Sequence, residues 1–85
     1  MAYTIQLKPS VAKDLRNLPK NVQRRVAEAI DGIATTPRPS GCVKLAGLDD
    51  LYRIRIGDYR ILYQIRDKEL IVLVVSVAHR REAYR

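Results

Sequence analysis

Residues 51–65 read LYRIRIGDYRILYQI, and this stretch decides the fold. Apolar and polar side chains alternate on both sides of Gly57 and Asp58, which is the period-2 pattern of two half-buried strands joined as a hairpin. A glycine at the first position of a two-residue turn favours the type II′ conformation, because that position needs a positive φ. The sequence therefore predicts a β-hairpin with Gly57 and Asp58 as its turn.

A two-residue turn sorts the side chains of the hairpin onto two faces. The predicted cross-strand pairs are Ile56 with Tyr59, Arg55 with Arg60, Ile54 with Ile61, Arg53 with Leu62 and Tyr52 with Tyr63. The isoleucines and tyrosines then form an apolar face, and Arg53, Arg55 and Arg60 share the other face. A three-residue loop would shift the register by one and turn Arg60 away from the other two arginines.

The three arginines of the hairpin have two interpretations. Like charges directly opposite each other in a sheet repel by roughly 0.2–1 kcal/mol, so a chain that keeps them together is typical of a site that holds an anion. Alternatively, the arginines lie on a solvated sheet face, where long cationic side chains discourage edge-to-edge aggregation. The hairpin pattern leaves both interpretations open.

Length and composition indicate one small domain over residues 1–85, since 47% of the residues are hydrophobic and 29% are charged. Sixteen Lys and Arg against nine Asp and Glu give a formal charge of +7, which favours polyanions, acidic proteins or anionic membrane surfaces as partners. The sequence shows neither a signal-peptide pattern nor a membrane-spanning stretch, so we expect a cytoplasmic protein. The single cysteine, Cys42, excludes an internal disulfide and a Cys-based metal site within one chain, and we expect no cofactor.

The remaining segments predict two helices and further strands around the hairpin. The predicted elements are a strand over Ala2–Leu7, a helix over Val11–Leu18 with Pro9 in its first turn, a second helix from Pro19 to about Ala34, a short extended lead-in over Val43–Leu48 and a central strand over Leu70–Ala78. The order is β-α-α-β-β-β in an α+β fold, with an N-terminal helical hairpin packed on one face of a mainly antiparallel sheet. The arginines then point to the open face.

The candidate functional site is a cationic cluster on that open face. A Gly-rich phosphate loop, a GxSxG motif and a His/Cys metal cluster are all missing from the sequence. The candidate residues are Arg53, Arg55, Arg60, His79, Arg80 and Tyr84. Guanidinium groups donate paired hydrogen bonds to phosphate oxygens and stabilise the charge of a phosphodiester transition state, while an aromatic ring can stack on an unpaired base. A histidine can act as general acid or base at neutral pH; the alternatives are a surface role for His79 and a structural or disordered Tyr84.

Several motifs resemble those of the RelE branch of the RelE/ParE toxin superfamily. The matching motifs are Lys44-Leu45 followed by Gly47 and Leu48, Leu51–Arg55, Gly57–Arg60, Ile61–Tyr63 and Val75–Arg80 up to Tyr84. The resemblance implies a RelE-like microbial RNase fold and the toxin of a bacterial or archaeal toxin–antitoxin pair. Such a toxin enters the ribosomal A site and cleaves mRNA without metal, by attack of the 2′-hydroxyl on the adjacent phosphate. The implied partners are a RelB-like antitoxin, the ribosome and mRNA, with operator DNA reached only through the antitoxin.

The resemblance also assigns roles to individual positions. It places phosphate contacts at Arg53, Arg55, Arg60 and Arg80 and a stacking ring at Tyr84. Many relatives carry lysine where this chain has its first two arginines, and an arginine is a poorer proton acceptor because its pKa exceeds about 12. Either His79 transfers the proton or the arginines act only electrostatically. Two other functions stay open: a ParE-like inhibitor of DNA gyrase without nuclease activity, and a non-catalytic basic nucleic-acid-binding module.

Overall fold

The computed structural model describes residues 2–45 and 50–79 and arranges them as two helices and a five-stranded sheet. The elements are β1 (Thr4–Leu7), α1 (Pro9–Arg16), α2 (Lys20–Thr35), β2 (Val43–Lys44), β3 (Leu51–Ile56), β4 (Tyr59–Arg66) and β5 (Ile71–His79). The strand order is β1-β5-β4-β3-β2, with β1 parallel to β5 and every other pair antiparallel. The predicted α+β fold is confirmed, including the central position of β5 between two neighbours.

The hairpin of β3 and β4 has the predicted two-residue turn. Arg55 lies opposite Arg60 and Ile56 lies opposite Tyr59, so the three-residue alternative is excluded. Gly57 has a φ of +59°, the positive value that its place in the turn requires. The described part of the short segment before the hairpin forms the strand β2, in which Val43 pairs with Arg53 of β3. A two-residue strand is too short to show a hydrophobic period, which is why the sequence did not reveal it.

The core lies between the two helices and one face of the sheet. Its buried residues are Val11 of α1, Val26, Ile30 and Ile33 of α2, and Tyr52, Ile61, Tyr63, Ile65, Val72, Val74 and Val77 of the sheet. Fully burying an aliphatic side chain of this kind stabilises a fold by about 1.5–3 kcal/mol. The helices therefore cover the apolar side of the hairpin and leave its arginine-bearing side open.

A β-bulge in β5 changes which of its residues face the helices. Leu62 pairs with Ser76 but the next residue, Tyr63, pairs with Val74, so Val75 is an extra residue without a partner in this register. An extra residue inverts the alternation of side chains beyond it, because successive residues of a strand point to opposite faces. Val77 and His79 consequently lie on the helix side of the sheet.

A polar cluster fastens the segment after α2 to the end of the sheet that lies away from the hairpin turn. The guanidinium of Arg38 binds the Asp67 carboxylate at 2.9 and 3.3 Å, and its Nε donates to the Tyr52 hydroxyl at 3.1 Å. Tyr3 donates its hydroxyl proton to the same carboxylate at 2.6 Å. These hydrogen bonds, that from Arg38 first, hold the pKa of Asp67 below its usual value. In the part of the chain that the structure describes, no helix is long and apolar enough to cross a bilayer.

Candidate functional site

Three arginines share the sheet face that the helices leave uncovered, and we call this set, Arg53, Arg55 and Arg60, the arginine face. Arg55 and Arg60 are directly opposite each other on β3 and β4, and Arg53 lies two residues from Arg55 on the same side of β3. Directly opposed Cα atoms in antiparallel strands are about 4.5–5.5 Å apart, and residues i and i+2 are about 7 Å apart. These spacings are short enough for three long side chains to contact one phosphate.

The strand next to the arginine face carries small side chains. Ala78 of β5 lies opposite Arg60, and Ser76 lies opposite Leu62. The β5 side chains paired with Arg60 and Leu62 are therefore small and uncharged, and the positive charge of this part of the sheet comes from the hairpin.

The three arginines differ in exposure. Arg55 is exposed, Arg53 is half-buried and Arg60 is only 7% exposed. Among the described residues, no carboxylate forms an ion pair with Arg53 or Arg55. Arg60 is therefore the least accessible of the three side chains. The face combines one buried guanidinium with two whose charge is not neutralised by a described carboxylate.

His79 does not lie with the arginines. Its ring meets the ring of Tyr59 edge-on, with centroids 5.2 Å apart and planes at 89°. Both rings line a cavity of about 420 Å³ on the helix side of the sheet, together with residues of α1 and the segment after it. The sequence grouped His79 with the arginines, and the structure corrects this prediction. The physical reason is the bulge at Val75, which turns His79 to the helix side of the sheet. A strand that is apolar on both faces gives no sign in its sequence of where an extra residue is inserted.

The last two predicted site residues, Arg80 and Tyr84, lie outside the described residues. Their roles remain those that the resemblance implies.

One further arginine lies beside the hairpin turn and was missed by sequence reasoning. The guanidinium of Arg25, from α2, has its Nη1, Nη2 and Cζ atoms 3.2, 3.4 and 3.6 Å from the position that a Cβ would take on Gly57. The sequence held one weak signal: Arg25 borders the apolar stripe of α2 and so flanks the sheet. Its contact with a turn 32 positions later is visible only in three dimensions.

The chemistry of the arginine face is binding and charge stabilisation. A guanidinium donates up to five hydrogen bonds in a planar fork and keeps its proton at any physiological pH. Across residues 2–45 and 50–79, no group of three or more His, Cys, Asp or Glu side chains is arranged to hold a metal ion. The arrangement suits an anion with several oxygens, of which a phosphodiester is one.

The sequence matches a known family over nearly its whole length. Residues 5–84 match the family model described as the ParE toxin of the type II toxin–antitoxin system parDE. A putative toxin RelE1 of Methanocaldococcus jannaschii is 30% identical, over 100% of this chain and 98% of the relative. Toxin RelG of Mycobacterium tuberculosis is 31% identical, over 100% of this chain and 99% of the relative. The mRNA interferase toxin RelE of Escherichia coli K12 is 29% identical, over 98% of this chain and 88% of the relative.

Solved structures show the same fold. A chain of the archaeal RelE–RelB complex from Pyrococcus horikoshii superposes with a TM-score of 0.84 at 34% identity, over 94% of this chain and 97% of that chain. The isolated E. coli RelE toxin superposes with a TM-score of 0.82 at 27% identity, over 98% and 96%.

Proposed function

This chain belongs to the RelE/ParE toxin family of type II toxin–antitoxin systems, and we propose that it is an endoribonuclease that cleaves mRNA in the ribosomal A site. The proposal is supported by relatives that are named mRNA interferases and aligned over nearly the full chain. The single observation that carries it is the arginine face, in which Arg55 and Arg60 oppose each other beside Arg53 on the uncovered side of the sheet.

The arginine face is suited to the charge that develops during RNA cleavage. The 2′-oxygen forms a bond to phosphorus while the bond to the 5′-oxygen breaks, which leaves a cyclic phosphate and a 5′-hydroxyl. The phosphorane formed on the way carries more negative charge than the diester, and fixed guanidinium groups stabilise that charge. Removing one such donor typically lowers the rate by about 10²–10³-fold.

Proton transfer needs a group other than the arginines, because a guanidinium keeps its proton. The ring of His79 lies on the other side of the sheet and so is assigned no proton transfer on the arginine face. The arginines accordingly act electrostatically, and the protons of the 2′- and 5′-hydroxyls exchange with solvent or with the ribosome. By the resemblance, Arg80 adds a phosphate contact and Tyr84 stacks on a base.

The partners follow from the same surface. Structures similar to this one come from complexes named RelE–RelB, so a RelB-like antitoxin is the proposed protein partner. The formal charge of +7 favours an acidic antitoxin segment, which would inhibit the toxin by covering the arginine face. The ribosome and its mRNA are the proposed nucleic-acid partners, and operator DNA is contacted through the antitoxin.

The test is cleavage of an actively translated transcript in a purified translation system, with the new 5′ ends mapped by primer extension. Wild-type protein is compared with Arg55→Ala and with a matched control, Arg66→Ala. Arg66 lies on β4, six residues from Arg60 on the same side of the strand, or about 20 Å away, and is 3.7 Å from Glu69. We expect cuts within codons, a loss of about 10²–10³-fold for Arg55→Ala, and near wild-type cleavage for Arg66→Ala.

Three results would contradict the proposal. Transcripts that stay whole with the wild-type protein exclude the nuclease, and equal losses in both variants exclude a specific role for the arginine face. Intact mRNA together with DNA breaks in expressing cells supports the ParE-like alternative, gyrase inhibition, which the description of the matched family model favours.

A further inference from the structure

The hairpin turn carries a guanidinium that comes from the helical layer. Arg25 lies in the first half of α2, and its two terminal nitrogens are within 3.2–3.4 Å of the Cβ position of Gly57. Since glycine has no Cβ, the guanidinium packs over the backbone of the turn itself. Its charge is thereby held at the tip of the hairpin.

The tip is also the end of the hairpin where the arginine face begins. Ile56 and Tyr59 form the last pair before the turn, and Arg55 and Arg60 form the next pair. One step along a strand is about 3.3 Å, so the turn over which Arg25 lies is within two steps of both arginines. Arg25 therefore extends the positive charge of the arginine face around the tip.

Nothing in the described chain neutralises this charge by an ion pair. Arg25 is exposed, and the ion pairs between described residues join Arg38 to Asp67 and Arg66 to Glu69. Its neighbours on the first two turns of α2 are basic or neutral, and the first acidic residue of the helix is Glu28. A packing role over Gly57 requires no charge, whereas an anion bound beside the turn would be attracted by Arg25 as well as by Arg55 and Arg60.

We propose that Arg25 is an additional phosphate contact, which binds an RNA phosphate flanking the one held by the arginine face. This inference rests on the proposed function, because it concerns the same RNA strand. A single strand carries a phosphate at every nucleotide, so a strand that lies on the arginine face and continues past the turn brings a further phosphate to Arg25. Its side chain binds RNA and does not act on the reacting atoms.

The experiment measures binding of a labelled single-stranded RNA whose 2′-hydroxyls are replaced by methoxy groups, so that it cannot be cleaved. Fluorescence anisotropy gives Kd across about 0.05–0.2 M salt for wild type, Arg25→Gln and Arg24→Gln. Arg24 is the matched control: it has the same charge on the same helix but lies on the side of α2 opposite the buried Val26 and Ile33. Arg55→Gln is measured beside them as a marker of the arginine face.

We expect Arg25→Gln to weaken binding and to reduce the slope of log K against log salt by about 0.7, the value of one phosphate contact on a single strand. Arg24→Gln should keep the wild-type slope, and Arg25→Lys should keep most of it, since the charge is retained. If Arg25→Gln and Arg24→Gln behave alike while Arg55→Gln lowers the slope, the inference is wrong and the proposed function stands. If Arg55→Gln also leaves the slope unchanged, both fail.

Discussion

The backbone conformation of a glycine predicts whether its replacement by alanine raises or lowers the free energy of unfolding, and the described residues offer three tests: Gly32, Gly41 and Gly57. Gly57 and Gly41 have φ values of +59° and +91°, in the region that L-residues avoid. Gly32 lies within α2, and a Cβ added there would meet no atom within 4 Å. The same chemical change is therefore placed in two unfavourable conformations and one favourable one.

The expected magnitudes follow from these environments. At Gly32, alanine should raise the free energy of unfolding by about 0.5–1 kcal/mol, because glycine loses more backbone entropy in a helix. At Gly57 and at Gly41, the positive φ should cost about 1–2 kcal/mol each. At Gly57 the new methyl group would also lie 3.2 Å from Nη1 of Arg25, but this atom is the far end of an exposed, flexible side chain and can move by a few tenths of an ångström at little cost.

Urea unfolding of the purified protein, followed by circular dichroism, measures these differences. In a protein of this size, 1 kcal/mol corresponds to a shift of about 4–8 °C in Tm, so thermal scans give an independent check. Repeating Gly57→Ala in an Arg25→Gln background should give nearly the same cost, because the positive φ and not the contact with Arg25 dominates it. A destabilising Gly32→Ala, a neutral Gly57→Ala or a cost that disappears in the Arg25→Gln background would refute the reasoning.

Two further predictions concern the polar groups that tie the segment after α2 to the sheet. Tyr63 is fully buried and donates its hydroxyl to the Pro37 carbonyl at 2.9 Å, so Tyr63→Phe should lower the free energy of unfolding by about 1–2 kcal/mol in urea titrations at neutral pH. An unchanged midpoint would show that this hydrogen bond contributes nothing. Arg38 lowers the pKa of Asp67 in the folded state, so this carboxylate stabilises the fold at pH values above its unfolded pKa near 4. The stabilisation is lost as the pH falls through the lower pKa of the folded state. Asp67→Asn should therefore unfold more easily than wild type at pH 7 and converge with it in acid; a constant difference over the whole range would contradict this.

The hairpin and the helices were predictable because their signals are local. The two-residue turn predicted at Gly57 and Asp58 gave the register of β3 and β4, and the three-to-four spacing of apolar residues gave both helices. The position of β5 between two strands followed from its apolar character on both faces. In each case the information needed lies within one segment and its own period.

The placement of the candidate site residues divides in the same way. The sequence correctly put Arg55 and Arg60 opposite each other, because the turn length alone determines that pair. It wrongly grouped His79 with them, because the bulge at Val75 inverts the faces beyond it and a uniformly apolar strand does not show where an extra residue lies.

The sequence by itself determined the order of the two helices and four of the five strands, the arginine-bearing face and the resemblance that led to the family, since these depend on residue type and short-range spacing. Only the tertiary structure decided that His79 lies behind the sheet and that Arg25 reaches the hairpin turn. Both outcomes depend on how separate segments meet in space, through a bulge in β5 and the missing Cβ of a glycine in the hairpin turn. Pairwise contacts of this kind are set by packing between distant parts of the chain, and no local period encodes them.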